Sequence, residues 1–130
     1  MVDLFNFLNG KRISILTPKW KSFNGDLIKI ASEIDDLGFS KVRLNGKMMD
    51  IDQVNNMRNN HKFLYDIDVV IDRLTLDTDI KTMAQFIKSL QMALKNGDGT
   101  NVIIFLDFDT NEEFRYLVNE ETIRRGLNRN

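Results

Sequence analysis

Apolar and polar positions alternate most clearly in residues 66–74, where Ile67, Val69 and Ile71 share one side of a period-two pattern and Asp66, Asp68 and Asp72 share the other. The run Val69-Val70-Ile71 is β-branched, which suits a pleated and largely buried strand, so this stretch reads as the central strand of a sheet. Arg73 breaks the pattern because it falls on the apolar side. Either it snorkels beyond the edge of the core, or a bulge re-aims it. Both place a fixed guanidinium at the rim of a rigid sheet.

The same patterning organises the rest of the chain. Val2, Leu4, Phe5, Phe7 and Leu8 are too apolar for a free tail and predict a short docking helix, stopped by Asn9-Gly10. Residues 13–16 read as a strand ended by Thr17-Pro18, and residues 19–25 as a loop offering Trp20 and two lysines as a contact surface. Leu27, Ile30, Ala31, Ile34 and Leu37 recur at helical spacing, with Asn24 as an N-cap and Gly38 just past the end. Residues 39–50 form a hairpin pattern around Asn45-Gly46, the pair that supplies the two positive φ angles of a type I′ turn, so Lys41 and Arg43 point off one face. Residues 53–60 show no periodicity and read as an exposed connection. A second helix is expected at residues 79–95, capped by Asp77 or Thr78, with Ile80, Met83, Ala84, Ile87, Leu90 and Leu94 as its apolar stripe. Residues 101–108 read as a strand, residues 114–118 as a short edge strand, and residues 119–130 as a tail, frayed from Arg124. The expected fold class is α+β: a mixed β-sheet of about five strands, including the hairpin, with two main helices packed on one of its faces.

Composition narrows the function. A chain of 130 residues, 42% hydrophobic and 28% charged, is expected to form one domain (1–130) with a single core. It has no cysteine, which removes disulfides, thiolate metal sites and thiol nucleophiles. Its apolar runs fall short of a membrane span and no leader pattern opens it, which points to the cytoplasm. The net charge of −1 gives no overall attraction to nucleic acid, although residues up to Lys62 are mildly basic and the remainder acidic.

The candidate chemistry is thin. His61 is the only histidine and stands in a polar stretch with nothing to pair with, so it reads as a solvated side chain. Asp107, Asp109 and Asn111 have the spacing that opens a calcium loop, but Glu112 stands where the loop needs glycine and Val118 where it needs a bidentate glutamate. A polar turn after a strand is the expectation. Asp66, Asp68 and Asp72 could hold magnesium only weakly and have no phosphate-binding loop beside them, so no metal or cofactor is expected. No nucleophile, base and orienting group can be named together, and the chain reads as non-enzymatic. Lys41, Arg43 and Arg73 stand apart: two cations on one hairpin face and a third at the end of the central strand would make a rigid basic site for an acidic protein surface or a few phosphates. Ordinary exposed charge has the same spacing, and the residues alone do not decide.

A resemblance does. Met1-Val2-Asp3, Gly10-Lys11-Arg12, Leu16-Thr17-Pro18, Gly25-Asp26, the run from Gly38 through Lys41, Arg43 and Asn45-Gly46, the run from Val69 through Arg73-Leu74, Ser89-Leu90-Gln91-Met92-Ala93-Leu94 and Gly97-Asp98-Gly99 are ordered as in the UvrB-interaction domain of UvrA, the damage-recognition ATPase of bacterial nucleotide excision repair. The resemblance runs from the first residue to about Val118. It implies a protein-binding module that docks an acidic patch on a UvrB-like protein through charged contacts, at a site overlapping that used by the transcription-repair coupling factor. The family's basic contacts carry over to Lys41 and Arg73, with Arg43 beside them. The family usually has arginine where Lys41 stands, so a bidentate carboxylate pair becomes single-point. Its Asp-Gly-Glu turn is here Asn45-Gly46-Lys47, which adds Lys47 to the basic set, and Tyr65 replaces a usual histidine. Two other functions are carried with this one: a stand-alone decoy or regulator of UvrA contacts, and direct nucleic-acid binding with Trp20 and Phe23 as stacking groups, against which the missing basic excess counts.

Overall fold

The computed structural model describes residues 2–57, 64–121 and 123, so the readings of His61 and of the tail from Arg124 lie outside the described residues. The elements run α1 (Val2–Leu8), β1 (Arg12–Phe23), α2 (Leu27–Asp36), β2 (Lys41–Leu44), β3 (Lys47–Asp50), α3 (Ile51–Asn55), β4 (Tyr65–Thr75), α4 (Ile80–Asn96), β5 (Val102–Asp107) and β6 (Glu113–Leu117). The fold is α+β: a six-stranded sheet in the order β3-β2-β4-β1-β5-β6, with α2 and α4 packed on it. It is antiparallel rather than mixed, because the connections let each strand pair with a neighbour of opposite direction. The sixth strand is β6, the edge strand expected at residues 114–118, which folds back on β5 across the short polar stretch at 108–112.

The chain clusters into two compact units, residues 1–17 with 71–130 and residues 18–70; β1 and β4 each pass from one to the other. The first unit holds a core of Leu4, Phe5 and Leu8 from α1, Ile13 and Ile15 from β1, Phe86, Leu90 and Ala93 from α4, and Ile103 and Phe105 from β5. Phe86 is its pivot, meeting Phe5 edge-on at 5.7 Å and Phe105 at 6.0 Å between ring centroids. The predicted docking of α1 is therefore seen. The apolar stripe of α4 is rotated from its expected position: Phe86, Ser89, Leu90 and Ala93 are buried, whereas Ile80 and Ala84 are exposed. The largest aromatic sets the buried face, and the first turn, capped by the Asp79 side chain on the Lys81 N–H, extends past the core.

In the second unit, α2 buries Leu27, Ile30, Ala31 and Ile34 and is capped by Asp26, not Asn24, through the Ile28 N–H at 3.0 Å. The hairpin forms as expected, with φ of 49° at Asn45 and 82° at Gly46 and a two-residue loop closed by Leu44 opposite Lys47. Two expectations give way. Residues 19–23 continue β1 rather than forming a loop, because β5 pairs with β1 only at residues 13–16 and the missing N–H of Pro18 breaks no bond to it. Residues 51–55 are helical, not irregular: Gln53 Oε1 accepts the Asp50 N–H at 2.8 Å, and Ile51 and Val54 are buried. The pattern Asp50-x-x-Gln53 was the available signal. Among the described residues no helix is long and apolar enough to cross a membrane.

Candidate partner-docking site

The hairpin unit carries Lys41, Arg43 and Lys47. Arg43 stands directly opposite Asp68 in the β2–β4 ladder, and its Nε donates to Asp68 Oδ2 at 3.0 Å. Only 7% of Arg43 and 9% of Asp68 remain exposed, so the pair is buried. Lys41 stands opposite Asp50, with Nζ 2.9 Å from Oδ1, and both side chains remain open to solvent. Such exposed pairs contribute about 0–1 kcal/mol, so Lys41 exchanges partners at little cost. Lys47 is exposed at the hairpin tip and has no ion pair among the described residues. Lys41 and Arg43 therefore share β2 but not an environment: one is available and the other is held. The Asp66 carboxylate is likewise engaged, accepting the Ser22 N–H at 2.9 Å.

Arg73 belongs to the other unit, where it is exposed near the end of β4. Ile71, Leu74 and Leu76 all pack on the core that contains α4. Asp72 falls on that same side, with Oδ2 accepting from Ser89 Oγ and Gln85 Nε2, each at 2.7 Å, and Oδ1 accepting the Arg73 N–H at 2.8 Å. Arg73 is exposed and lines a groove together with Arg12, Ser14 and Phe108. Ser89 is 1% exposed, and its hydroxyl donates to the Asp72 carboxylate. Ser89→Ala is expected to cost about 1.5–3 kcal/mol in urea unfolding, and Ser89→Thr appreciably less.

Arg73 lies 5.8 Å from the ring centroid of Phe108, and Arg12 lies 4.6 Å from the same centroid. The strand register explains the meeting: Ile13 pairs with Asp107, and the Phe108 N–H donates to the Arg12 carbonyl at 2.8 Å. Sequence reasoning missed Arg12 and Phe108 because nothing local fixes a register across ninety-odd residues. The polar turn that follows is built as expected from its carboxylates. Asp107 Oδ1 accepts the Asp109 N–H at 2.9 Å and the Thr110 N–H at 3.3 Å, and Lys11 Nζ approaches Oδ2 at 3.4 Å. Asp109 accepts from both Nε and Nη2 of Arg12.

The backbone N–H groups at 109 and 110 hold the Asp107 carboxyl below its ordinary range, and Arg12 does the same for Asp109. A carboxylate whose pKa is lower in the folded than in the unfolded chain stabilises the fold fully above the unfolded value, about 3.9, and loses that contribution as pH falls through the folded value. Stability is therefore expected to decline below about pH 4. Asp107→Asn, which can still accept both N–H groups, should show a shallower decline in acid-unfolding curves.

The model of the UvrA interaction domain family matches residues 1–107. UvrABC system protein A of Neisseria meningitidis serogroup A is 30% identical over 102 residues, covering 78% of this chain and 10% of that protein. The protein of the same name from Pseudomonas putida is 29% identical over 114 residues, covering 87% and 12%, and that from Methanothermobacter thermautotrophicus is 32% identical over 91 residues, covering 70% and 9%. The chain thus spans about a tenth of the length of these relatives. Matched over most of its length by the family model, with α1 through β5 inside that match, this chain belongs to the UvrA interaction domain family.

Proposed function

We propose that this chain is a protein-docking module that binds a UvrB-like partner in nucleotide excision repair. The observation that carries the reading is membership of the UvrA interaction domain family over residues 1–107; a domain of this kind is non-catalytic. Lys41, Lys47 and Arg73 are the contacts: Lys47 and Arg73 are exposed without a carboxylate partner among the described residues, and Lys41 has only a solvent-exposed one. Arg43 contributes by holding β2 to β4 through Asp68 rather than by reaching the partner. An acidic patch on UvrB is the complementary surface, and the transcription-repair coupling factor competes with UvrB for an overlapping site on this domain. Supplied alone, the chain would act as a decoy for UvrA.

The test is a calorimetric titration against UvrB of the same organism at low and moderate salt, with a single-stranded oligonucleotide in parallel. Micromolar or tighter binding to UvrB that weakens as salt rises is the expected result. A folded chain that ignores UvrB and binds the oligonucleotide would overturn the reading and return Trp20 and Phe23, whose rings lie 6.2 Å apart, as base-stacking groups.

A further inference from the structure

We infer that Arg12, Phe108 and Arg73 form a seat for a single aspartate or glutamate side chain of a docked partner, in the groove they line with Ser14 and Thr75. The inference rests on the docking function proposed above, because it supplies the partner. The groove has a volume of about 240 Å³ and opens to solvent. Phe108 is 56% exposed although it follows the buried end of β5, and its ring carries two guanidinium groups. An arginine lying over an aromatic face loses much of its rotamer freedom and keeps its outward N–H donors, which are arranged to grip a carboxylate.

The charge balance selects the ligand. Arg12 is already neutralised by Asp109, whereas Arg73 has no carboxylate partner among the described residues, so the groove retains one positive charge. One carboxylate satisfies it. Asp107 and Asp109 balance Lys11 and Arg12 beside the groove, so its single remaining charge matches one carboxylate and not a polyanion such as a nucleic-acid backbone. The exposed phenyl ring accepts the methylene stem of an acidic side chain, an apolar contact that a phosphate does not make. Arg12, fixed by two hydrogen bonds to Asp109, acts as the wall that holds the ring and keeps the seat from collapsing.

The experiment uses the whole chain in two arms. In the first, an isotope-labelled chain is titrated with a short glutamate-containing peptide, its glutamine counterpart and a thymidine oligonucleotide, and the arginine Nε–H and Phe108 amide signals are followed. The glutamate peptide alone should shift the Arg73 Nε–H and Phe108 signals to saturation, and Phe108→Ala should weaken its binding about tenfold. In the second, UvrB binding is compared for wild type and Phe108→Ala, each checked for native circular dichroism. A similar tenfold loss is expected. Equal UvrB affinity of the two chains would overturn the seat while leaving the docking function intact. Absence of UvrB binding by wild type would overturn the docking function, and the peptide arm would then decide the seat alone: equal shifts with the glutamine peptide or the oligonucleotide would refute it.

Discussion

Truncating Arg43 to alanine is expected to destabilise the chain by about 3–5 kcal/mol, because it strands Asp68 as a buried charge whose guanidinium partner is gone. The size of the effect comes from burial, not from the ion pair itself. A pair of similar geometry at the surface, such as Lys41 with Asp50, should cost less than about 1 kcal/mol when broken. Replacing both members, as in Arg43→Leu with Asp68→Leu, removes both buried charges and should recover much of the loss. Urea unfolding of the four chains in a double-mutant cycle measures this directly. A loss below about 1 kcal/mol for Arg43→Ala would mean that the pair is solvated and that Arg43 is free to serve a partner.

Reversal of charge at Arg73 is expected to have the opposite profile. In the free chain Arg73 is exposed and lacks a carboxylate partner among the described residues, so Arg73→Glu should leave stability within about 0.5 kcal/mol. Its effect appears on binding. If Arg73 meets a partner carboxylate that is desolvated in the complex, losing it should cost about 2–5 kcal/mol of UvrB affinity, and the residual binding should depend less on salt. The conservative Arg73→Lys keeps the charge and loses the fork of donors, so it should fall between wild type and reversal. Titration of UvrB with the three chains distinguishes these cases, and equal affinity for wild type and reversal would remove Arg73 from the interface.

The contrast between Arg43 and Arg73 also shows what could be read before the structure was known. The hairpin was legible because Asn45-Gly46 has one good solution, and β2 and β3 follow from it. The existence of α2 and α4 was legible from their periodicity, but the face of α4 was not, since the Phe86 row and the Ile80 row both fit a helical period and only tertiary packing separates them. The burial of Arg43 needed the register of β2 against β4, which sets Arg43 opposite Asp68 and which no local pattern fixes. Alternation alone left Arg73 with two outcomes. Its surroundings are set at long range, by Ser89 and Gln85 on α4, which hold the neighbouring Asp72, and by Phe108 after β5, which lies against Arg73 itself. Arg12 and Phe108 belong to the same class, adjacent only because Ile13 pairs with Asp107. In each case local chemistry chose the element, and strand register chose the neighbours of its charged side chains.

The central claim, that this domain docks a UvrB-like protein through particular basic residues, is tested most directly by mapping UvrB onto the isotope-labelled chain by chemical-shift perturbation. The account predicts saturable perturbations at Lys41, Lys47 and Arg73, with the Arg43 signals little changed because its ion pair persists in the complex. Perturbations confined to other residues, such as the exposed first turn of α4 around Ile80, would contradict it, as would a spectrum that UvrB leaves unchanged.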